Sequence, residues 1–400
     1  MINENTRMKI GFIVASMTIT VLFIASSTAI PFYVTYQTLY SIPNNIISFS
    51  TVVYFIGNVF SLIFLSRISN YLGRKPTIRI TLILSILGCL SFIYVNNGQL
   101  LLLGRLLQGI CCGMTAGSIQ AYIIDTSPEN SNIGVIIATN MPLIGFSIGA
   151  INSGVIVDYN PSLISTVFLP IILILVICII LISLGKETVT PKKGVIKSIK
   201  PEISIPHNIR KYIPITIIAT ISTYSITGFY QSFSSIMSLM QFGTNSKLIA
   251  AIVYASIMAP QILGSSLINH FGNKKGQIYG IIGFTACLVI INISLIMSWI
   301  IPFILSSILT AIFCGLTFTA TMNNLVEKTS QEDMAGVLST SYLITDGGTA
   351  LVNMIISIII TYTALINVSL MYLVFVIISC ILTLKLSENL SAKKKENRGI

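Results

Sequence analysis

Ser66-Arg67-Ile68-Ser69-Asn70-Tyr71-Leu72-Gly73-Arg74-Lys75 is a short polar stretch between two long apolar runs, and it carries three basic residues. A second such stretch, Ser265-Ser266-Leu267-Ile268-Asn269-His270-Phe271-Gly272-Asn273-Lys274, also lies between two apolar runs. Placing Gly73 on Gly272 gives an offset of 199 residues and sets Asn70 on Asn269 and Lys75 on Lys274. That offset is about half of the 400-residue chain. The sequence therefore reads as two tandem halves, each with the same turn after its second apolar segment. Parallel repeats of this kind are a building plan of secondary transporters.

The composition agrees. Hydrophobic residues make up 54% of the chain and charged residues 9%, against about 25% charged in soluble domains. The apolar residues recur in runs of roughly 20, the length of a bilayer-spanning helix, and within lipid such runs must be helical to satisfy their own backbone. Twelve spans are expected, near 11–35, 46–66, 77–95, 100–124, 134–157, 166–185, 214–238, 248–268, 278–298, 301–325, 335–361 and 366–386. The chain thus divides into a first half at 1–185, a linker at 186–213 and a second half at 214–400.

The net charge of +11 is a topology signal rather than a nucleic-acid footprint. With both termini in the cytoplasm, 21 of the 23 Lys and Arg residues fall on the cytoplasmic side, as the positive-inside rule requires. Only Lys247 lies outside, and Arg105 lies within a span. The seven cysteines all fall within spans without metal-ligand spacing and read as small packing residues. No metal or cofactor is expected. The first apolar run is too long for a signal peptide and is read as retained.

The Ser66–Lys75 stretch resembles the loop between the second and third helices of the major facilitator superfamily, whose pattern is G-x-L-A-D-R-x-G-R-K/R. Gly73, Arg74 and Lys75 match its end; Ser66 and Asn70 stand where glycine and aspartate are usual. In the fourth span, Arg105, Gln108 and Gly109 are similar to the family's R-x-x-Q-G run. The resemblance implies an all-α integral membrane protein, with twelve transmembrane helices in two six-helix pseudo-repeats. It also implies that Asp125 pairs with Arg74 in a conformational latch with Asn70 and Lys75, and that Glu327 does the same with Lys274 or Lys275 in the second half. In the fifth span Gly145, Gly149 and Gly154 match a drug/proton antiporter pattern, with Ala150 in place of its proline.

Polar stripes mark the candidate cavity. Ser16, Thr20, Ser27 and Pro31 share one helical face in the first span, as do Thr220, Tyr224, Thr227 and Gln231 in the seventh. Thr310, Thr317, Thr321 and Asn324 form a similar stripe in the tenth, and Gln108 lies one turn from Arg105 in the fourth. In the resembled fold these four spans line the central path. The plainer reading is that such hydroxyls bond their own backbone one turn back. Gly109, Gly113 and Gly117 repeat every four residues and allow close helix contact.

Two intramembrane charges stand out. Arg105 is expected to be paired or functional; a snorkelling arginine near the outer interface is the alternative, compatible with that reading. Asp346, followed by Gly347 and Gly348, is the lone acid near the middle of a span. It is expected to carry the coupling proton or a substrate cation, with Arg105 as its partner in coupling.

These features point to a secondary transporter, not an enzyme. No H-E-x-x-H or P-loop pattern is present. Proton-coupled efflux of a small, partly apolar solute is the expectation. The alternatives are proton-coupled import of a sugar or other metabolite, and a membrane receptor on a transporter fold. The expected setting is a monomer in the cytoplasmic (inner) membrane. A reporter active only in the cytoplasm, attached after Ile400 or near Lys193, is expected to be active at both sites. An exported signal from either would refute the topology.

Overall fold

The computed structural model describes residues 3–128, 133–199, 205–329 and 334–396, and among these it contains helices and turns but no strand. Twelve long helices follow one another: α1 Glu4–Ser27, α2 Asn44–Phe64, α3 Arg74–Ile93, α4 Gly98–Thr115, α5 Ile133–Tyr159, α6 Phe168–Leu181, α7 Ile213–Met240, α8 Lys247–Met258, α9 Gln261–Ile296, α10 Ile300–Val326, α11 Met334–Ile359 and α12 Leu365–Glu396. The basic tail beyond Glu396 lies outside the described residues.

Among the described residues, eleven stretches are long and apolar enough to cross a membrane. One of them, Lys247–Ile296, is 50 residues long, about 75 Å of helix at 1.5 Å per residue. That is about two and a half times what a hydrocarbon core of about 30 Å needs. The chain leaves helical geometry at Gly272, with φ 68° and ψ 166°, so this stretch supplies two crossings and the total is twelve. Gly73, with φ 97°, makes the matching turn in the first half. A side chain would be strained at either position.

The chain forms two compact units. The first comprises Met1–Glu202 with Gln231–Leu239 and Thr244–Ala255; the second holds Ile203–Tyr230, Met240–Gly243 and Ser256–Ile400. Helices within each unit meet through glycine. A Cβ on Gly109 would overlap the Tyr54 carbonyl of α2, and one on Gly113 would lie 2.6 Å from Ser61 Cβ. In the second unit Gly315, 202 residues after Gly113, abuts the Gln261 carbonyl in the same way. Small residues are what allow backbones to approach this closely where lipid offers no hydrophobic drive.

Gly145 and Gly149 of α5 seat α1: a Cβ on Gly145 would lie 2.6 Å from the Thr20 carbonyl, and one on Gly149 would meet the Ile24 backbone. Pro142 lies within α5, so this helix has a proline although Ala150 stands at the position where the resembled pattern has one.

Gly88 offers a contrast, since a Cβ there would sit in ordinary contact at 3.5 Å from Gln108 Cγ. Gly109→Val is therefore expected to destabilise the protein by about 3 kcal/mol or more through overpacking. Gly88→Ala is expected to be neutral or to stabilise it by about 0.4–1 kcal/mol. Thermal midpoints in detergent check both. A Gly109→Val midpoint equal to that of the parent would refute the close approach.

Candidate functional site

The first unit holds a buried cation. Arg105 of α4 has no exposed surface, which excludes a snorkelling arginine. Its environment follows from a break in the first span. α1 stops at Ser27, a 3-10 turn runs Ile30–Phe32, and a short helix resumes at Tyr33–Tyr40. Pro31 lacks an N–H and helps enforce the break.

The last carbonyls of α1 are thus without helical donors, and α4 supplies them. Arg105 Nη1 donates to the Ser26 carbonyl at 2.7 Å, and Gln108 Nε2 donates to the Ala25 carbonyl at 2.7 Å. Arg105 Nη1 also donates to Gln108 Oε1 at 3.0 Å, while Nε and Nη2 both donate to the Tyr33 hydroxyl, Nε at 2.5 Å. The Tyr33 and Tyr54 rings lie 5.3 and 5.9 Å from the guanidinium carbon, within cation–π range. The arginine and glutamine together hold the broken helix in register, which sequence reading had not shown.

A second cluster gathers around the Ser66–Lys75 turn. Arg74 Nε pairs with Asp125 Oδ2 at 3.0 Å. Its Nη1 donates to Ser69 Oγ at 2.5 Å, Asn70 Oδ1 at 2.8 Å and the Gly117 carbonyl at 3.0 Å. Lys75 Nζ donates to the Ser183 and Gly185 carbonyls, each at 2.8 Å.

Glu187, absent from the sequence expectations, caps α3. Its carboxylate accepts the Arg74 and Lys75 backbone N–H groups at 2.8 and 3.0 Å. A carboxylate there also answers the positive end of the helix dipole. Next to it, Thr188 Oγ1 donates to Asp125 Oδ2 at 2.9 Å. An acid just after the sixth span, in a predominantly basic linker, was the available signal.

The second unit carries a neutral counterpart. Asn273, at the Arg74 position of the repeat, donates to Glu327 Oε1 at 2.5 Å, and Asn323 Nδ2 donates to Asn273 Oδ1 at 3.3 Å. Lys274 and Lys275 are exposed.

Most stripe hydroxyls are engaged with their own helices. Thr20 donates to the Ser16 carbonyl at 3.0 Å, Ser27 to Phe23 at 3.2 Å, Thr227 to Tyr224 at 2.8 Å and Thr317 to Phe313 at 2.8 Å. Thr20 also lines a 460 Å³ apolar groove with Phe12, Ser16, Met17, Ile137 and Met141. Gln231 is buried, and Asn324 is half-buried, its carbonyl accepting Lys328 Nζ at 2.7 Å.

The exception is an aromatic group in the second unit. Tyr224 of α7 and Phe318 of α10 have ring centroids 5.4 Å apart, and Phe318 and Tyr342 of α11 are 6.2 Å apart. Asp346 lies one turn along α11 from Tyr342. Tyr224, Phe318 and Asp346 are half-buried and Tyr342 is 36% exposed. Aromatic faces beside one carboxylate, left partly open, form a surface that a small organic solute can use. Among the described residues no group of three or more His, Cys, Asp or Glu side chains is placed to hold a metal ion.

Comparison with known proteins bears on this arrangement. The chain is 30% identical over 80 residues to a sugar transporter, ERD6-like 6, of Arabidopsis thaliana, covering 20% of this chain and 16% of that protein. It is 26% identical over 125 residues to an uncharacterized transporter of Rickettsia felis, covering 30% of each. The matches thus span under a third of these relatives' length.

Among solved structures, the xylose transporter XylE from E. coli is similar at a TM-score of 0.72 with 12% identity, covering 95% of this chain and 98% of that one. The nucleoside transporter NupG is similar at 0.71 with 13% identity, covering 96% and 100%. Residues 15–264 match the family model described as Major Facilitator Superfamily. With well over half its length matched by that model and twelve crossings in the same fold, the chain belongs to the major facilitator superfamily.

Proposed function

We propose that the chain is a proton-coupled secondary transporter that carries a small polar organic solute inward, of a sugar- or nucleoside-like kind, by alternating access. The observation that carries this reading is the Tyr224–Phe318–Tyr342–Asp346 group. Aromatic rings offer stacking faces to the apolar side of a solute ring, and a carboxylate accepts hydrogen bonds from hydroxyl or amine groups. The relatives described as sugar transporters support the solute class.

Asp346 carries the coupling proton in this reading. An ionisable residue within a span is a functional site by default, and a proton crossing with the membrane potential supplies about 2.3 kcal/mol per 100 mV. Arg105 serves by fixing the broken first span.

Efflux of a partly apolar solute is the second reading. It rests on the Gly145, Gly149 and Gly154 run. Each of those glycines abuts a neighbouring backbone, so packing accounts for the pattern without efflux. The Arg74–Asp125 cluster serves as a cytoplasmic latch, supported by the contacts of the Arg74 side chain with three side-chain acceptors and the Gly117 carbonyl. The protein acts as a monomer in the cytoplasmic membrane, with both termini inside.

Two predictions separate these roles. Asp346→Asn is expected to abolish accumulation against a gradient while counterflow without a gradient survives. Accumulation at the parental, protonophore-sensitive rate would make Asp346 structural. A solute that binds but never moves would instead mark a receptor. Arg74→Ala removes a charge-assisted contact of about 1.5–3 kcal/mol before screening. It is expected to lower transport roughly tenfold at unchanged membrane abundance, and parental transport would remove the latch.

A further inference from the structure

Three cations converge on the end of the sixth span. Lys75 Nζ donates to the Ser183 and Gly185 carbonyls. Arg7 Nε and Nη2 donate to the Leu184 and Gly185 carbonyls at 3.4 and 3.3 Å, and Arg79 Nη2 donates to Ser183 Oγ at 3.0 Å. The last carbonyls of a helical run are its negative end, and that end draws cations. Carbonyls do not neutralise them. Among the described residues none of the three forms an ion pair. The carboxylates nearby are spent elsewhere: Glu187 on the Arg74 and Lys75 backbone N–H groups, Asp125 on Arg74, and Glu4 on Lys186.

Arg79 is the telling member. It lies in the second turn of α3 and is half-buried. A guanidinium has five N–H donors, of which Arg79 spends one, on Ser183. Its Nε is buried and has no partner. An arginine at this depth reaches the membrane surface by snorkelling, and there its charge needs an acceptor.

Beside this cluster an apolar face is left open. α3 and α6 pack together, with Phe92 and Phe168 stacked at 5.4 Å at the end away from Arg79. Ile80, Ile83 and Leu87 of α3 are exposed, and so are Leu173, Ile177 and Ile180 of α6. Their three- and four-residue separations make a stripe along one side of each helix. Ile80 follows Arg79 directly, and Ile180 lies one turn before Ser183, so both stripes lead to the cations. Apolar exposure alone is what any lipid-facing helix shows; the cationic end distinguishes this face.

We infer that the α3–α6 face binds an acidic phospholipid, with its phosphate on Arg79, Lys75 and Arg7 and its acyl chains along the two stripes. By the charge-based topology the site faces the cytoplasmic leaflet, where acidic lipids attract basic side chains. Arginine meets phosphate through paired N–H donors, which is what the unspent donors of Arg79 offer. A zwitterionic lipid brings its own ammonium to the same place and loses that advantage. The inference needs the topology but neither a solute nor a coupling ion, so it stands or falls apart from the transport reading.

Native mass spectrometry of the full chain, released from micelles doped with phosphatidylglycerol or phosphatidylcholine, counts the lipid retained. The parent is expected to prefer phosphatidylglycerol. Arg79→Gln keeps a donor for Ser183 but removes the charge. It is expected to weaken phosphatidylglycerol retention about fivefold, the weight of one basic side chain at an acidic lipid surface, and to leave phosphatidylcholine unchanged. Lys385→Gln, at an exposed lysine of α12, is expected to change neither. Equal retention of the two lipids by the parent, parental retention by Arg79→Gln, or an equal loss in Lys385→Gln would each overturn the site. Inorganic phosphate at matched ionic strength is expected not to displace the lipid; displacement would mark a soluble-anion site and overturn the lipid reading. A second readout uses the unaltered protein in nanodiscs. Phosphatidylglycerol with a diazirine in its acyl chain is expected to label 80–87 and 173–184 more than the matching phosphatidylcholine probe does. Equal labelling by the two probes would overturn the site.

Discussion

Inside a bilayer no water completes a broken helix, so every interruption must be repaired by the protein itself. The first span is where that demand is sharpest. It breaks after Ser27, and Arg105 and Gln108 of α4 donate to the Ser26 and Ala25 carbonyls. The cost of burying a guanidinium is offset by neutral acceptors and two aromatic faces. The same requirement recurs at the start of α3, where Glu187 takes the first two N–H groups. In α7, which is unbroken, Asn353 and Tyr372 add further bonds to the Ser225 and Ser222 carbonyls. Polar side chains in this protein serve the backbone before they serve a solute.

Close packing is the complementary constraint. Lipid tails are as apolar as the helix surfaces they touch, so helices associate by fit rather than by exclusion from water. The contact of Gly113 with α2 and that of Gly315 with the start of α9 are the same solution used twice, 202 residues apart. Asp125 and Glu327 keep that spacing too. The internal repeat thus preserves both the surfaces that must touch and the turns that link them.

The fold was largely legible because its determinants are local: apolar runs of membrane length, basic turns at Gly73 and Gly272, and glycines at four-residue spacing. The pairing of Arg105 with Gln108 was also readable, since one helical turn separates them. What the sequence hid were partners distant along the chain. Glu187 lies 113 residues from Arg74, and Asp158 lies 89 from Lys247. No periodicity announces such contacts. The threonine stripes were ambiguous for a related reason. A hydroxyl one turn above a carbonyl has an acceptor within its own helix, so spacing alone does not say whether Thr317 faces a path or its neighbour Phe313. The aromatic group around Asp346 draws on three helices, and a one-dimensional pattern does not contain it.

The two repeat turns, alike in shape, differ in the force that holds them. Arg74 meets Asp125 as an ion pair, whereas Asn273 meets Glu327 through an amide that carries no charge. Salt screens attraction between full charges over a Debye length of about 8 Å at physiological ionic strength, and acts far less on a bond from a neutral donor. The Arg74–Asp125 pair is itself partly buried and so is screened much less than an exposed pair: the two turns are held by different forces, yet neither depends on low salt.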